Sequence, residues 1–277
     1  MPRGALGVNI SAMSTNGQFS GKVAIVTGGG TGLGLAIARE FAARGAKVVI
    51  ASRKQEKLAA AAASINDAGG QCDTFAFDVR APEQVEALIE YTVGKHGRID
   101  ILVNNAAGNF VCPSEKLSVN GWLSVVGIVL NGTWFCSSFA GRKMIEQNGG
   151  VILNVIATFA WTGAPGVVHS ASAKAGVLAM TRTLAAEWGP HNIRVNALAP
   201  GVMVTENASK NLLFDAPEVQ KKISERIPLR RLLPTEEAAK LAAFLCSDEA
   251  AYITGDVMTC DGGRWLGEGF LDLMAHE

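Results

Sequence analysis

The chain has 277 residues, of which 48% are hydrophobic, and its 25 basic side chains balance 25 acidic ones. The zero net charge gives no reason to expect nucleic-acid binding, and the apolar runs are strand-sized, which argues against a membrane span. The cysteines are odd in number and form no Cys-x-x-Cys pair, so we expect free thiols in a reducing compartment rather than a metal site or disulfides: Cys72, Cys112, Cys136, Cys246 and Cys260.

The first twenty residues are predicted to form a flexible N-terminal arm, followed by a single domain at 21–277. The arm has one arginine and no long apolar core, which argues against a signal peptide and against secretion. A role of the arm in organelle targeting stays open, although the C-terminal MAHE is not a peroxisomal address. We expect the protein in the cytoplasm or in the matrix of a mitochondrion or peroxisome-like organelle.

From Lys22 onward, short β-branched and apolar runs alternate with segments of helical periodicity. The runs lack strict apolar–polar alternation, which indicates a sheet buried on both faces. No linker or repeat interrupts the pattern. It predicts an α/β fold, a single-domain Rossmann fold whose doubly wound, parallel, seven-stranded sheet has helices on both faces, with strands at 22–27, 47–52, 74–79, 100–108, 151–157, 192–200 and 256–263.

The first strand–helix junction, TGGGTGLG, predicts a dinucleotide site. Glycines let the backbone approach a pyrophosphate, and a helix N-terminus offers free N–H groups and a positive dipole end. A glycine cluster alone also fits a tight turn, but this one follows a predicted strand and opens a predicted helix. The predicted contacts are Thr27, Gly28, Gly30, Thr31, Gly32, Leu33 and Gly34.

The end of the second strand indicates which dinucleotide binds. A carboxylate there would accept a hydrogen bond from a bare ribose and favour NAD. This chain has Ser52, Arg53 and Lys54 instead, a hydroxyl and two cations that suit a 2′-phosphate. The alternative is a solvated basic helix start. We predict NADPH as the cofactor.

These features resemble the short-chain dehydrogenase/reductase family over residues 21–263. The family's TGxxxGxG motif matches residues 27–34, its NNAG motif matches NNAAG at 104–108, and the lysine of its YxxxK motif matches Lys174. The resemblance implies that Asn131 organises a proton-relay water. It also implies further cofactor contacts from Asp78, Val79, Asn105, Ala106, Ala107, Lys174, Pro200, Gly201 and Thr205.

The family's catalytic serine and tyrosine are both replaced. Alignment through the fifth strand and Lys174 puts Ala157 at the serine position and Ser170 at the tyrosine position. Ordinary members use the tyrosine as acid or base on a carbonyl or alcohol. The hydroxyl pKa of serine is far too high for either task, so we predict that the protein is not a standard carbonyl reductase.

The segments NNAAGNF, VLNGT and SASAKAG resemble the 2,4-dienoyl-CoA reductases, a subfamily with SxxxK in place of YxxxK. That resemblance implies NADPH-dependent reduction of a 2,4-dienoyl-CoA to a 3-enoyl-CoA in the β-oxidation of unsaturated fatty acids. Such a reaction needs hydrogen-bond donors to a dienolate rather than a strong acid. Lys174, Asn109, Ser170 and Asn131 are the predicted catalytic residues.

This sequence looks closer to the peroxisomal type of the subfamily, although the helix before NGT lacks the aspartate on which that type is said to rely. The mitochondrial type has a tyrosine at the position of Phe159, whereas the peroxisomal type lacks it and has a histidine at the position of His169. Asn109 either donates to the thioester oxygen or caps its loop. Ser170 either donates too or makes room for the acyl chain. We predict substrate contacts from Asn109, Phe110, Phe159, Trp161, His169 and Ser170.

The segment at about 202–232 is predicted to be a lid over the substrate. Its six basic residues either receive CoA phosphates or form a solvated helix face. We expect an acyl-CoA thioester as the partner molecule, no nucleic acid or membrane, and a homotetramer. Two other functions stay open: a reductase of another enoyl or enone thioester, and a non-catalytic NADPH-binding sensor or scaffold.

Overall fold

The computed structural model describes residues 17–205 and 216–267. In this part of the chain, seven strands form one parallel sheet in the order β3-β2-β1-β4-β5-β6-β7. Their order reverses between β1 and β4, and ligands of open α/β sheets bind at such a switch point, beyond the carboxyl ends of the strands. The strands are β1 (Val23–Thr27), β2 (Lys47–Ser52), β3 (Gln71–Ala76), β4 (Ile101–Asn104), β5 (Gly150–Val155), β6 (Ile193–Pro200) and β7 (Val257–Cys260).

Helices cover both faces of the sheet, which confirms the predicted Rossmann fold. Helices α1, α2 and α9 bury one face, and α3, α5 and α7 bury the other. The bounds are α1 (Gly32–Ala43), α2 (Gln55–Asp67), α3 (Pro82–His96), α4 (Val119–Val126), α5 (Gly132–Glu146), α6 (Phe159–Thr162), α7 (Val168–Trp188), α8 (Pro217–Glu225) and α9 (Thr235–Cys246).

Successive strand residues enter opposite layers of the core. On β1, Val26 packs toward α1 and α9, whereas Ile25 packs toward α3 and α5. Side chains alternate between the faces of a strand, so a strand covered on both sides must be apolar at nearly every position. That is why the sequence shows continuous apolar runs here.

The third strand begins and ends earlier than predicted. It spans Gln71–Ala76 rather than 74–79, because Gln71 pairs with Lys47 and the pairing ends at Ala76 opposite Ser52. The apolar character of FDV has another origin. Phe77 and Val79 lie beyond the strand and are buried against α3 and α5.

The predicted N-terminal arm is too long at its C-terminal end. Residues 1–16 lie outside the described part of the chain, but Phe19 is buried and its ring lies 5.0 Å from that of Phe41. The Phe19 amide also donates to the Arg44 carbonyl at 2.8 Å. The folded domain therefore includes residues before 21.

Helices α4 and α5 are joined by a five-residue π-helical segment, Gly127–Asn131. By length and composition, the run Val119–Glu146 is apolar enough to cross a membrane, a test that core helices also pass. Val125, Val129 and Cys136 of this run are buried in the core. Its other side leaves apolar residues exposed in the single chain: Val119, Trp122, Leu123 and Trp134.

Candidate cofactor and active site

The glycine turn after β1 has the geometry of a pyrophosphate cradle. Gly32, the first residue of α1, has a φ of +54°, a left-handed conformation that glycine adopts without strain. A Cβ on Gly34 would lie 2.4 Å from the Gly28 carbonyl oxygen, so only glycine lets α1 approach β1 this closely. The first turn of α1 has no acidic residue, and Thr31 makes no side-chain cap. The N–H groups at this helix start and its positive dipole end fit an anion.

Thr27 and Asn105 hold the cradle together from within. The Thr27 hydroxyl accepts from the amides of Asn105 and Ala106, each at 3.0 Å, and donates to the Val103 carbonyl at 3.2 Å. The Asn105 amide group donates to the Thr27 carbonyl at 2.9 Å. Both residues lie at the predicted site, but their polar atoms tie β1 to β4. These hydrogen bonds fix the turn, and a direct contact of either residue with a cofactor stays a prediction.

The residues predicted to bind a 2′-phosphate lie at the end of β2. Ser52 is half-buried, whereas Arg53 and Lys54 are exposed. Nearby, Asp78 accepts from Arg80 at 2.5 Å, and this hydrogen bond lowers the pKa of Asp78, with a smaller effect from the charge of Arg53. Arg80 was missed in the sequence, where only its position two residues after Asp78 indicates it. Because Arg80 is paired with Asp78, the pair adds no net charge to this end of the site.

The loop after β6 lies beside Gly32, at the edge of the predicted cofactor site. Pro200 ends β6, and the Gly201 amide donates to the Cys260 carbonyl at 2.8 Å. A Cβ on Gly201 would lie 2.7 Å from the Asp261 Cα, and a Cβ on Gly32 would lie 3.3 Å from the Thr205 side chain. These close approaches place the predicted Pro200–Thr205 loop against the glycine turn.

A buried polar chain lies behind the site and was not predicted. The Asn104 amide donates to the Ser137 hydroxyl and to the Asn154 side-chain oxygen, each at 2.9 Å, and Asn154 donates to Thr181 at 2.9 Å. All four side chains are buried. Each of these hydrogen bonds joins residues far apart in sequence, so the NNAAG motif around Asn104 was the one sequence feature that pointed to them. The chain links β4, β5, α5 and α7 at the floor of the site.

Lys174 is the buried cation of the site. It lies one helical turn after Ser170 on α7, is 7% exposed, and donates to the Val155 carbonyl at the end of β5 at 2.5 Å. Burial lowers the pKa of Lys174 to about 8, because a low-dielectric environment disfavours the ammonium. Ser170 is also buried, and no other described residue hydrogen-bonds its hydroxyl. The structure thus brings together the two ends of the SxxxK motif.

The site offers no tyrosine to assist this lysine. Tyr91 lies on α3, and its ring centroid is 5.2 Å from that of Phe75. Tyr252 follows α9 and is fully exposed. Phe159 is half-buried at the start of α6, in the position that the resemblance gives to a tyrosine in other members. Trp161 is partly exposed on the same short helix, and its ring meets that of Trp265 edge-on at 5.9 Å.

Asn109 and His169 both contact Phe110. The Phe110 amide donates to the Asn109 side-chain oxygen at 2.9 Å, which leaves the Asn109 amide group, Nδ2, without a partner among the described residues. The ring centroids of Phe110 and His169 lie 4.4 Å apart. His169 is fully buried, and no described side chain hydrogen-bonds its ring nitrogens. Burial lowers the pKa of His169, and a hydrogen bond with the Phe110 backbone opposes this. These groups form the candidate acyl-binding side of the site.

Asn131 is the last residue of the π-helical segment and is exposed in the single chain. The residues before it pack inward: Val129 is buried in the core with Ala173, and Leu130 contacts α7 near Gly176. The relay role of Asn131 stays a prediction.

The predicted lid is described only in part, since residues 206–215 lie outside the described ranges. Within it, the Lys221 ammonium lies 4.0 Å from the Glu225 carboxylate, Arg231 pairs with Glu237 at 2.9 Å, and Arg230 donates to the Glu225 carbonyl. Several of the predicted phosphate-binding cations are thus already paired. The lid and its CoA contacts stay predictions.

The chain matches, over residues 28–264, a family model described as enoyl-(acyl carrier protein) reductase. It is 49% identical to a probable 2,4-dienoyl-CoA reductase, (2E)-enoyl-CoA-producing, of Bacillus subtilis, covering 88% of this chain and 97% of the relative. It is 43% identical to a peroxisomal 2,4-dienoyl-CoA reductase, (3E)-enoyl-CoA-producing, of Pongo abelii, covering 88% and 84%.

Solved structures agree with these relatives. A short chain dehydrogenase from Bacillus anthracis is 51% identical, with a TM-score of 0.81 over 90% of this chain and 98% of that one. A gluconate 5-dehydrogenase from Burkholderia cenocepacia, in complex with NADP and tartrate, is 30% identical, with a TM-score of 0.86 over 92% and 99%. Because the matches extend over nearly the whole domain and the glycine cradle and buried lysine are both present, the chain belongs to the short-chain dehydrogenase/reductase family, among the members that resemble 2,4-dienoyl-CoA reductases.

Proposed function

We propose that this protein reduces 2,4-dienoyl-CoA thioesters to 3-enoyl-CoA with NADPH, in the β-oxidation of unsaturated fatty acids. The observation that carries the proposal is the buried Lys174 with Ser170, and no tyrosine, one turn before it. A ketone substrate needs an acid of suitable pKa at that point. A dienoyl thioester needs no such acid, because the negative charge that forms during its reduction spreads to the thioester oxygen. Hydrogen-bond donors are enough to stabilise the charge there.

The residues present fit an NADPH molecule. The glycine turn and the free start of α1 would hold its pyrophosphate, and Ser52, Arg53 and Lys54 would hold its 2′-phosphate. Lys174 would bind the nicotinamide ribose hydroxyls. When bound, NADPH supplies the hydride that adds to the δ carbon of the diene.

The protein's own part in the reaction is to stabilise the charge that this addition leaves. The γ,δ double bond of the substrate becomes a single bond. Its electron pair shifts along the conjugated acyl group to the thioester oxygen. The Asn109 amide donates to that oxygen, and the Lys174 ammonium stabilises it through space. A water then protonates the α carbon, which restores the thioester carbonyl and leaves a β,γ double bond.

The test is NADPH oxidation by the purified protein, with a 2,4-dienoyl-CoA and a 3-oxoacyl-CoA compared side by side. We expect turnover on the diene alone, and slower turnover with NADH than with NADPH. Turnover on the 3-oxoacyl-CoA would contradict the proposal. The double-bond position in the product, read by NMR, is expected to be 3,4; the Bacillus subtilis relative is named for the 2E product, so a 2,3 bond would place the proton on the γ carbon instead.

A second candidate function is the reduction of an enoyl thioester carried by acyl carrier protein. The description of the matching family model favours it, and the site chemistry would be the same because the charge again ends on the thioester oxygen. A 2-enoyl thioester on either carrier, included in the same assay, separates the two. We also propose a homotetramer, built through the exposed apolar side of α4 and α5, which light scattering after size-exclusion chromatography would test.

A further inference from the structure

Two tryptophan side chains meet at the carboxyl edge of the sheet and stay partly exposed. Trp161 lies on α6, which follows β5, and Trp265 lies in a short 3₁₀-helical turn, Arg264–Leu266, which follows β7. Their ring centroids are 5.9 Å apart in an edge-on arrangement, yet the two residues remain 37% and 44% exposed. Single exposed apolar side chains are ordinary, whereas large rings that adjoin one another are typical of a binding surface.

The turn that carries Trp265 is held by its own hydrogen bonds and by close packing. The buried carboxylate of Asp261 accepts from the amides of Gly263 and Trp265 at 2.9 and 2.8 Å. Gly262 and Gly263 have φ values of +68° and +87°, which glycine adopts without strain. A Cβ on Gly262 would lie 2.7 Å from the Ile227 side chain, so the turn packs directly on the segment after α8. The Trp265 ring is therefore presented from a fixed backbone.

The tryptophan pair lies between the candidate active site and the described end of the predicted lid. On the site's side, Ala160 precedes Trp161 and packs in one core cluster with Phe110 and with Ala173, which precedes the site lysine. On the lid's side, Leu229 is 64% exposed, and its amide donates to the turn that carries the second tryptophan at 3.3 Å. An apolar chain that extends from the site over α6 would therefore meet the two rings.

We infer that Trp265, together with Trp161, forms the wall on which the acyl chain packs beyond its reacting double bonds, and that this wall makes the protein prefer longer chains. The inference rests on the proposed function and deepens it, because it names fatty acyl chains longer than the diene itself as the substrate class. Trp161 was a predicted substrate contact, whereas Trp265 enters from the tertiary structure.

The acyl chain is the occupant that the surroundings favour. The rings adjoin the cluster that contains Phe110, on the acyl-binding side of the site, whereas the exposed apolar side proposed to bind a second copy belongs to α4 and α5. Each CH₂ group removed from water strengthens binding about fourfold. A ten-carbon chain should therefore gain from this wall, and a six-carbon chain, which the diene nearly fills, should gain little.

The experiment compares Trp265→Ala, Trp161→Ala and the double variant with wild type, and with Tyr252→Ala, a fully exposed aromatic residue after α9, as the matched control. The first readout is kcat and KM with NADPH on 2,4-hexadienoyl-CoA and 2,4-decadienoyl-CoA. The second is the affinity for the unreactive hexanoyl-CoA and decanoyl-CoA in the presence of NADP⁺, from isothermal titration calorimetry. Light scattering after size-exclusion chromatography gives the mass of each variant.

We expect Trp265→Ala to lower the ratio of kcat/KM for the ten-carbon over the six-carbon diene about 10-fold, through KM rather than kcat, and to lower the preference for decanoyl-CoA by the same factor. The double variant should lose little more than either single variant, because the two rings form one wall. Trp265→Leu keeps an apolar side chain and should give a smaller loss, which covers the case in which the alanine variant does not fold.

An unchanged ratio and an unchanged binding preference in a folded variant would overturn the inference and leave the proposed function standing. A changed mass for Trp265→Ala would also overturn it, since the ring would then belong to a contact between copies. If wild type reduces neither diene, the proposed function fails, but the chain-length preference in binding still decides the role of Trp265. A wild type that binds neither acyl-CoA overturns both.

Discussion

The two halves of the site satisfy their polar groups in different ways. At the ends of β1 and β4, the polar atoms of Thr27 and Asn105 bond to the neighbouring backbone, and the glycines leave no room for a side chain. In the loop after β4, Asn109 has an amide group, Nδ2, without a partner among the described residues, and at the start of α7 no described side chain hydrogen-bonds the buried ring of His169. Folding thus satisfies the polar groups of the first half, whereas the second half keeps an unpaired hydrogen-bond donor.

This difference corresponds to what each half must bind. A pyrophosphate is held by backbone N–H groups, so the cofactor half needs a fixed main chain rather than free side chains. An oxygen that becomes charged during the reaction needs donors that are already in place and not engaged elsewhere. Substitutions in the first half are therefore expected to affect stability and cofactor binding, whereas substitutions in the second half should affect turnover.

Gly34→Ala should have the largest effect and test the fixed main chain. The new Cβ would lie 2.4 Å from the Gly28 carbonyl oxygen and 2.5 Å from the Asn105 amide nitrogen, so the cradle must open. We expect loss of measurable NADPH binding in fluorescence titration and a lower midpoint of thermal unfolding. In contrast, Gly94→Ala, at an exposed position on α3 with no atom within 4 Å, should stabilise the protein by about 0.5–1 kcal/mol. Normal NADPH binding by Gly34→Ala would show that the cradle tolerates movement.

Asn109→Asp tests the free donor of the second half. The aspartate keeps the oxygen that accepts the Phe110 amide but loses the N–H donor. We expect kcat on the dienoyl-CoA to fall about 100-fold, because an oxyanion donor is lost, while thermal stability changes little. Asn120→Asp, at an exposed position on α4, is the matched control. Full activity with Asn109→Asp would mean that Asn109 only caps its loop.

Thr27→Val removes the hydroxyl that ties β1 to β4 without changing the shape of the side chain. The amides of Asn105 and Ala106 then lose their acceptor, and the free energy of unfolding should fall by about 1–3 kcal/mol. Urea unfolding would measure this, and Thr183→Val, at an exposed position on α7, serves as the comparison. If Thr27→Val instead loses turnover at saturating NADPH with full stability, the proposed division between the halves is wrong at this residue.

The buried ammonium of Lys174 predicts an effect that is absent at neutral pH and affects stability only at alkaline pH. Its pKa is about 8 in the folded protein, against an ordinary value of 10.5, so above pH 8 the native state loses the proton while the unfolded chain keeps it. The free energy of unfolding of the cofactor-free protein should therefore gain a rising contribution between these two values, whereas below pH 8 both states are protonated and the contribution is flat. Lys174→Met should remove the rise, since methionine does not titrate. Parallel curves for wild type and variant would show that Lys174 is not perturbed by burial.

The sequence predicted those elements that are determined by the residue types of one short segment. The strands followed from apolar runs, and the glycine turn followed from TGGGTGLG, because a left-handed φ and a close helix approach demand glycine at fixed positions. The third strand was placed too late because Phe77 and Val79 are apolar for the core and not for pairing. Asn131 was assigned to the site from a motif, and the structure adds that it ends a π-helical segment and is exposed in the single chain.

By itself, the sequence determined the family, the position of the cofactor cradle and the absence of a tyrosine acid, since each depends on which residue types occupy one short stretch of chain. Only the tertiary structure decided which polar groups are used up and which are left free. The hydrogen bonds that link Asn104 to Thr181 span separations of 33, 50 and 27 residues, and the His169 ring packs on Phe110, which is far from it in sequence. Burial and hydrogen-bond satisfaction are properties of the packed domain, because they depend on which distant segments come together.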